Sequence, residues 1–204
     1  MKTITFFSQK GGSGKSTLTV HSAVVAHSLG ERVVIVDTDM QRTTTKWGEM
    51  RTNDEPIVAT ASASELSTVL KAAKAEGMTF AFVDTAPHAA PDAARVARLS
   101  DLIVIPCRPT AFDLAAVDSA VDIIKANNAK AVFVLSACPF RSPETNEARE
   151  ILSGYGLPVA PISITDRRAF SRAVATGRAV TEFEKNGKAA DEINNLWLWI
   201  KGQI

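Results

Sequence analysis

Short runs of apolar residues alternate with longer, helix-compatible stretches along most of the chain. The apolar runs are rich in β-branched residues and nearly uniform, which is typical of parallel strands buried on both faces. This pattern predicts βαβ units, and therefore a mainly parallel twisted sheet with helices on both faces. The predicted strands cover residues 3–7, 32–37, 57–61, 80–84, 102–106, 131–136 and 159–164. The predicted helices cover residues 17–29, 64–76, 91–98, 113–127, 143–153, 167–176 and 189–201.

Length and composition indicate an ordinary globular protein. The 204 residues suit one α/β domain, so we expect a single domain over residues 1–204. The net charge of +1 means that any surface for nucleic acid must be a local one. Cys107 and Cys138 are too few for a disulfide framework, and we interpret them as buried free thiols. No apolar run reaches the roughly 18 residues that a membrane span needs, and we expect a cytoplasmic protein.

Glycines separate the first predicted strand from the first predicted helix. A strand, a glycine-rich turn and a helix N-terminus together direct several backbone N–H groups and the helix dipole at one point, which suits an anion. The lysine and the serine that follow the last of these glycines would supply a charge for phosphates and a hydroxyl for Mg²⁺. This pattern predicts a site for ATP and Mg²⁺. The expected nucleotide-binding residues are Gly11, Gly12, Ser13, Gly14, Lys15, Ser16 and Thr17, with Ser16 also a metal ligand.

This loop departs from the common phosphate-loop pattern in two ways. Gln9 stands where that pattern has its first glycine, and a second lysine, Lys10, stands at the entrance. Residues 10–16, K-G-G-S-G-K-S, resemble the deviant Walker A loop of the ParA/MinD family of P-loop ATPases. The chain looks most similar to the short ParA proteins that partition plasmids and chromosomes. The resemblance implies a homodimer that forms on ATP, in which Lys10 reaches across to the partner's nucleotide. It also implies that Lys10 and Lys15 are catalytic.

Aspartates follow two of the predicted strands. Asp37 and Asp39 come after one strand, and Asp84 ends another. Because ligands in an open parallel sheet bind at the carboxyl ends of the strands, these carboxylates could hold Mg²⁺ beside a triphosphate. Residues 37–41 resemble the family's D-x-D-x-Q segment, with Met40 in place of the usual proline. The resemblance implies that Asp39 positions the attacking water, that Asp37 binds Mg²⁺ through its waters, and that Asp84 is the Walker B aspartate.

Three further segments are interpreted through the same resemblance. Thr85 and Pro87 match the switch segment that senses the γ-phosphate. Residues 105–114 are similar to a family stretch that we interpret as interface scaffold. Residues 135–137, Leu-Ser-Ala, stand where many relatives carry an asparagine for adenine, which leaves Ser136 as the candidate for base recognition. His88, just after the switch segment, is interpreted as a surface-loop residue.

The resemblance predicts a partition ATPase that binds DNA non-specifically and is stimulated by a ParB-like centromere-binding protein. Non-specific DNA binding needs only several Lys or Arg side chains near phosphates. The basic stretch over residues 166–188 is the candidate, with Arg167, Arg168 and Arg172 as the expected contacts, although a solvated helix face would look the same. Such a protein would be associated with the nucleoid.

Two alternative functions use the same scaffold. A MinD-like membrane ATPase would anchor through the tryptophans near the C-terminus. However, Ile193, Leu196, Trp197 and Ile200 have the spacing of a helix docked on a sheet, so we expect no membrane binding. A metabolic ATP-dependent synthetase of the dethiobiotin type would need a second polar constellation for its substrate, and the sequence offers none.

Overall fold

A six-stranded parallel sheet is the centre of the computed structural model, which describes residues 1–87 and 90–204. The strands are β1 (Lys2–Phe6), β2 (Val33–Asp37), β3 (Ile57–Thr60), β4 (Phe80–Asp84), β5 (Leu102–Cys107) and β6 (Ala131–Leu135). Their order across the sheet is β3-β2-β4-β1-β5-β6, and each neighbouring pair is parallel. From β1 the chain crosses to β2 and β3 on one side of the sheet, and it later forms β5 and β6 on the other side. The loop after β1 therefore lies where the strand order reverses, which is the usual place for a ligand.

Helices cover both faces of this sheet, which confirms the predicted fold class. The described helices are α1 (Lys15–Ser28), α2 (Thr43–Glu49), α3 (Leu66–Ala75), α4 (Ala90–Leu99), α5 (Ala111–Ala115), α6 (Val117–Ala126), α7 (Glu144–Ser153), α8 (Arg168–Val174), α9 (Val180–Phe183) and α10 (Lys188–Lys201). Helices α1, α2 and α8–α10 bury their apolar residues on one face, and α3, α4, α6 and α7 bury theirs on the other.

The strands supply both layers of the core because successive side chains of a strand point to opposite faces. Ile4 and Phe6 of β1 point to the α1 side, where they join Trp197 of α10 in one cluster. Ile103 and Ile105 of β5 point to the other side. All five of these side chains are almost fully buried. The central strands are therefore buried on both faces and mainly apolar, although β1 carries the buried Thr3 and Thr5 between its apolar residues.

The prediction of a strand over residues 159–164 is wrong. Only isolated bridges form here, at Val159 and Thr165. Pro161 has no N–H to donate to a neighbouring strand. The guanidinium of Arg149 donates a hydrogen bond to the carbonyl oxygen of Ala160, which a strand partner would otherwise use. Regular pairing with β6 therefore stops after Ala160, and the next backbone bond to that strand comes from the N–H of Ile164.

Smaller differences concern short helices. The helix predicted over residues 113–127 consists of α5 and α6, which meet at Ala116. Helices α2 and α9, of 7 and 4 residues, were not predicted because such short segments carry too little of a helical period to detect. The described helices include none that is long and apolar enough to cross a bilayer. His88 lies outside the described residues.

Candidate functional site

The glycine-rich loop connects the buried end of β1 to the first turn of α1. Gly14, directly before this helix, has φ of 100°, a conformation that L side chains rarely adopt. A Cβ at Gly14 would also lie 3.4 Å from the Cβ of Ser136. The loop therefore presents bare backbone at the N-terminus of a 14-residue helix, as expected for an anion cradle.

Lys15 is a buried cation inside this loop. Its side chain folds back so that Nζ donates a hydrogen bond to the carbonyl oxygen of Lys10 at 3.2 Å. Burial lowers the pKa of Lys15, while the nearby carboxylates of Asp84 and Asp39 act to raise it. Among the described residues Lys15 has no carboxylate within ion-pair distance, so its charge remains available to an anion.

Ser136 supports the loop from the end of β6. Its buried hydroxyl donates a hydrogen bond to the carbonyl oxygen of Ser13 at 2.6 Å. The sequence suggested Ser136 for base recognition, but the structure uses its only donor on the phosphate loop. Ser136 also lines the neighbouring cavity, and its hydroxyl oxygen keeps an acceptor position.

Asp84 and Asp37 lie side by side at the carboxyl ends of β4 and β2, where their Cα atoms are register partners. Asp84 is fully buried; its Oδ2 accepts a hydrogen bond from Thr44 Oγ1 at 2.6 Å, and its Oδ1 has no partner among residues 1–87 and 90–204. Burial raises the pKa of Asp84 to about 6, although the Thr44 and Ser16 hydroxyls act to lower it. Of these two hydroxyls, only that of Thr44 makes a hydrogen bond of standard geometry. A buried carboxylate oxygen without a partner indicates a site for a cation.

The other two aspartates are held in different ways. Asp37 accepts three hydrogen bonds: Oδ2 accepts from the backbone N–H and the hydroxyl of Thr45 at 2.8 and 2.9 Å, and Oδ1 accepts from the N–H of Asp39 at 3.0 Å. Asp39 is half-buried, and it accepts one bond, from the N–H of Gln41 at 2.8 Å. Asp37 thus orients the start of α2, whereas Asp39 keeps acceptor capacity for a further donor such as water.

The oxygen ligands available at this site suit Mg²⁺ better than a metal ion whose ligands all come from the protein. In the part of the chain that the structure describes, no three His, Cys, Asp or Glu side chains come together as a metal cluster. Mg²⁺ usually binds through one or two protein oxygens and keeps water and phosphate ligands. The partnerless Oδ1 of Asp84 and the hydroxyl of Ser16 beside it are such oxygens.

The predicted switch segment is tied to neighbouring strand ends. The buried hydroxyl of Thr85 donates to the carbonyl of Phe6 at 2.8 Å. The N–H and the hydroxyl of Thr38 both donate to the carbonyl of Asp84, each at 2.9 Å. A cavity of about 180 Å³ lies between Thr38 and Thr85, and the half-buried Pro87 comes two residues after Thr85. These hydrogen bonds connect the ends of β1, β2 and β4, so a movement of the backbone at one strand end would also displace the other two.

A second cavity, of about 550 Å³, lies beside the phosphate loop and was not predicted. Loop residues form one side, and apolar residues of α8 and of the segment before it form the other. The lining includes Gly12, Gly14, Thr17, Ile164, Phe170 and Val174. Its size and mainly apolar lining suit a nucleobase and its sugar. No sequence signal marks it, because its two sides are about 150 residues apart in the chain.

The three predicted DNA-contact arginines do not form one free patch. The guanidinium of Arg167 is paired with Glu192 at 2.8 Å and is mostly buried. Arg168 is exposed and borders the larger cavity. Arg172 is exposed and stacks over the ring of Phe183 at 5.3 Å. Of these three arginines, Arg168 and Arg172 are thus the exposed ones, whereas Arg167 is held by its ion pair.

Comparisons with known proteins agree with this geometry. A sequence model of the VirC1 protein family matches residues 1–190. The maintenance of carboxysome distribution protein A of Gloeobacter kilaueensis is 29% identical over 188 residues, covering 89% of this chain and 85% of that protein. Protein ParA of Rhizobium radiobacter is 27% identical over 208 residues, covering 96% of this chain and 92% of that protein.

Among solved structures, the septum site-determining protein MinD of Pyrococcus horikoshii, complexed with Mg-ADP, superposes with a TM-score of 0.81. The superposition covers 98% of this chain and 95% of that one, at 16% identity. At this identity the likeness concerns the fold, and it extends over nearly the whole of both chains.

Proposed function

This chain belongs to the VirC1 protein family and is a ParA/MinD-type P-loop protein, and on that premise we propose that it is a ParA-like partition ATPase. It binds ATP with Mg²⁺ and forms a homodimer when ATP is bound. It then hydrolyses the ATP to segregate or position a plasmid, a chromosome or another cargo. The observation that carries this proposal is the glycine loop before α1. In the described part of the chain, Lys15 of this loop has no carboxylate partner and Oδ1 of the nearby Asp84 has no hydrogen-bond partner.

Each residue of the site has a role in this proposal. The backbone of residues 11–17 and the ammonium group of Lys15 bind the phosphates. Ser16 and Asp84 hold Mg²⁺, and Asp37 orients the loop that carries Asp39. Asp39 accepts a hydrogen bond from the attacking water. When bound, Mg²⁺ neutralises charge on the terminal phosphates, so the protein has mainly to position the groups.

Dimerisation is supported by the surface around the loop. The three most exposed large hydrophobic side chains among the described residues are Met40, Phe112 and Phe140, with exposures of 87%, 82% and 62%. All three follow the carboxyl ends of strands, at the edge of the sheet that carries the phosphate loop. A second copy that faces this edge would bury them. In such a dimer the half-buried Lys10 at the loop entrance would add a cation to the partner's site.

Non-specific DNA binding is the second part of the proposal. The exposed Arg168 and Arg172 are the contacts that we assign, and a ParB-like partner stimulates turnover on nucleoid DNA. If this is right, replacing both arginines by alanine lowers DNA affinity in the presence of ATP and flattens its dependence on salt. Unchanged DNA binding by the double variant, measured by fluorescence anisotropy at two salt concentrations, would contradict the assignment.

The test of the ATPase proposal separates binding from turnover. Lys15→Ala should abolish ATP binding, whereas Lys10→Ala should bind ATP but fail to associate, with turnover reduced by roughly a thousandfold or more, as for other cations supplied in trans. Lys125→Ala, in the last turn of α6 and away from the loop, is the matched control. ATP affinity, ATP-dependent mass and turnover against protein concentration are measured for each protein. Wild-type turnover and association by Lys10→Ala would overturn the dimer proposal.

A further inference from the structure

Arg108 lies beside the phosphate loop, and none of the nucleotide or metal roles above uses it. The sequence suggested only that its stretch, residues 105–114, is interface scaffold. Arg108 follows β5 directly, and β5 is the neighbour of β1 in the sheet. A Cβ built at Gly12 would lie 3.9 Å from Nη1 of Arg108. The guanidinium is thus within contact distance of the exposed middle of the loop, although the two residues are about 100 positions apart in sequence.

Asp113 holds this guanidinium in one orientation. Nε and Nη2 of Arg108 donate to the two carboxylate oxygens of Asp113 at 2.9 and 3.1 Å. Asp113 is itself buried, and it accepts a further bond from the Thr110 hydroxyl at 2.6 Å. The arginine is therefore fixed before any ligand arrives, which reduces the entropy lost on binding.

The geometry of the pair leaves one edge of the guanidinium free. A guanidinium has five N–H donors, and Asp113 uses one on Nε and one on Nη2. Both N–H groups of Nη1 and the second N–H of Nη2 remain, and in the described structure no acceptor binds Nη1. This remaining edge suits two oxygens of a phosphate group. The arginine side chain is 34% exposed, so a ligand can reach it.

We propose that Arg108 is a phosphate-binding residue of the nucleotide site, held by Asp113 so that its free edge contacts the phosphate chain of nucleotide bound in the same subunit. The inference rests on the proposed ATP-binding function, and it adds a cation that the phosphate-loop motif does not contain. Arg108 and Lys15 would then approach the phosphates from different strands, β5 and the β1–α1 connection.

The experiment measures binding of Mg-ATP and of inorganic tripolyphosphate by competition against a fluorescent ATP analogue. The protein is kept below the concentration at which ATP causes association, so that only contacts within one subunit count. Arg108→Ala and Arg108→Lys are compared with wild type. Arg98→Ala is the matched control, because Arg98 lies in the last turn of α4 and donates to Asn127. The melting temperature of each nucleotide-free variant is measured alongside.

Loss of one charge-assisted contact predicts roughly tenfold weaker binding of both ATP and tripolyphosphate by Arg108→Ala. Arg108→Lys should recover part of it, since an ammonium group keeps the charge but not the fork to Asp113. Arg98→Ala should bind both ligands as wild type does.

Three results would overturn the inference. One is a lower melting temperature of Arg108→Ala with unchanged affinity, which means a structural ion pair only. Another is a loss for ATP but not for tripolyphosphate, which means a contact to the nucleoside. The third is a loss of DNA binding with ATP affinity intact. Failure of the wild-type protein to bind ATP would overturn the proposed function itself, and this inference with it.

Discussion

At the scale of single residues, hydrogen bonds to the backbone hold the phosphate loop and the helix behind it. Ser136 reaches the carbonyl of Ser13 across 123 positions of sequence. Its hydroxyl can rotate but has only one proton, so the bond to Ser13 competes with any bond it could donate to a base. Support of the loop and recognition of the base therefore predict different consequences of removing this hydroxyl.

Replacing Ser136 by alanine should weaken nucleotide binding without changing base preference. Loss of one neutral hydrogen bond costs about 1 kcal/mol, or roughly fivefold in affinity, and a loop-supporting bond affects ATP and GTP equally. Affinities for both nucleotides, measured by titration calorimetry, check this. A change in the ratio of the ATP and GTP affinities would show instead that the hydroxyl contacts the base.

His21 is a second residue with a purely internal partner. It is fully buried in α1, where its Nδ1 accepts a hydrogen bond from the N–H of Val180 at 3.0 Å and its ring meets the edge of Phe170 at 5.1 Å. Burial lowers the pKa of His21 to about 3, although the charge of Glu182 acts in the opposite direction. The histidine is therefore neutral in the folded protein at every moderately acid pH.

This depressed pKa predicts a loss of stability in mild acid. Below pH 6.5 the unfolded chain protonates His21, whereas the folded protein does not. The contribution of neutral His21 to the free energy of unfolding is therefore complete above pH 6.5 and falls as the pH drops towards 3. Between pH 7 and pH 5 this residue should reduce the free energy of unfolding by about 2 kcal/mol.

The measurement is urea unfolding at pH 7 and pH 5. His21→Asn, which can still accept the Val180 N–H, should show a smaller difference between the two pH values. His27→Asn, near the end of the same helix, is measured alongside as the matched histidine variant. An equal pH dependence in wild type and His21→Asn would rule out this origin.

At the scale of elements, the end of α2 docks on the turn between α8 and α9. The mostly buried guanidinium of Arg51 binds Glu182 at 2.9 Å and the carbonyl of Gly177 at 3.1 Å. Gly177 has φ of 66°, and a Cβ there would lie 2.5 Å from the carbonyl oxygen of Met50. The two backbones can approach this closely only because that residue is glycine.

Replacing Gly177 by alanine should destabilise the fold more than the same change at Gly156. Gly156 also has a positive φ, of 75°, but no atom lies within 4 Å of its added Cβ. The backbone penalty is therefore shared, and only Gly177→Ala adds a clash with a neighbouring backbone. We expect roughly 2 kcal/mol more loss in the free energy of unfolding for Gly177→Ala. Equal losses in chemical denaturation would mean that α2 shifts freely away from the turn.

At the scale of the whole molecule, the C-terminal helix completes one face of the core. Ile193, Leu196, Trp197 and Ile200 of α10 are all fully buried, which confirms the predicted docked stripe. The Trp197 ring packs against the rings of Phe80 and Phe82 in the sheet, with distances of 5.2 and 5.3 Å between ring centroids. Trp197, one of the two tryptophans that suggested a membrane anchor, thus packs on the sheet, and Trp199 is half-buried against the same cluster.

Trp197→Ala should lower the free energy of unfolding by about 3–5 kcal/mol, the usual loss for a large buried aromatic. Leu198→Ala, next to it but 58% exposed, should change stability by at most about 0.5 kcal/mol. Thermal and urea unfolding measure both changes, and co-sedimentation with anionic liposomes measures membrane binding. Liposome binding by wild type that Leu198→Ala abolishes would favour the MinD-like alternative.

The sequence by itself determined the parts of this protein that depend on neighbours in the chain. The β-branched run, the glycines and Lys15 specify a strand, a tight turn and a helix start within about 15 residues. Asp37 and Asp84 end apolar strands, and parallel pairing then brings those ends to one edge of the sheet. Each of these features follows from local backbone preference and from burial on both faces, which a pattern along the chain records.

Only the tertiary structure decided which distant groups meet. Arg167 looked free for DNA, but Glu192, 25 residues later, neutralises it. Residues 159–164 have a strand-like composition, but Pro161 and Arg149 interrupt their pairing with β6. Ser136 lies under the phosphate loop, and Arg108 lies beside it. These contacts join residues that are separated along the chain, so they depend on how the helices and loops pack on the sheet. No periodicity along the chain encodes that packing.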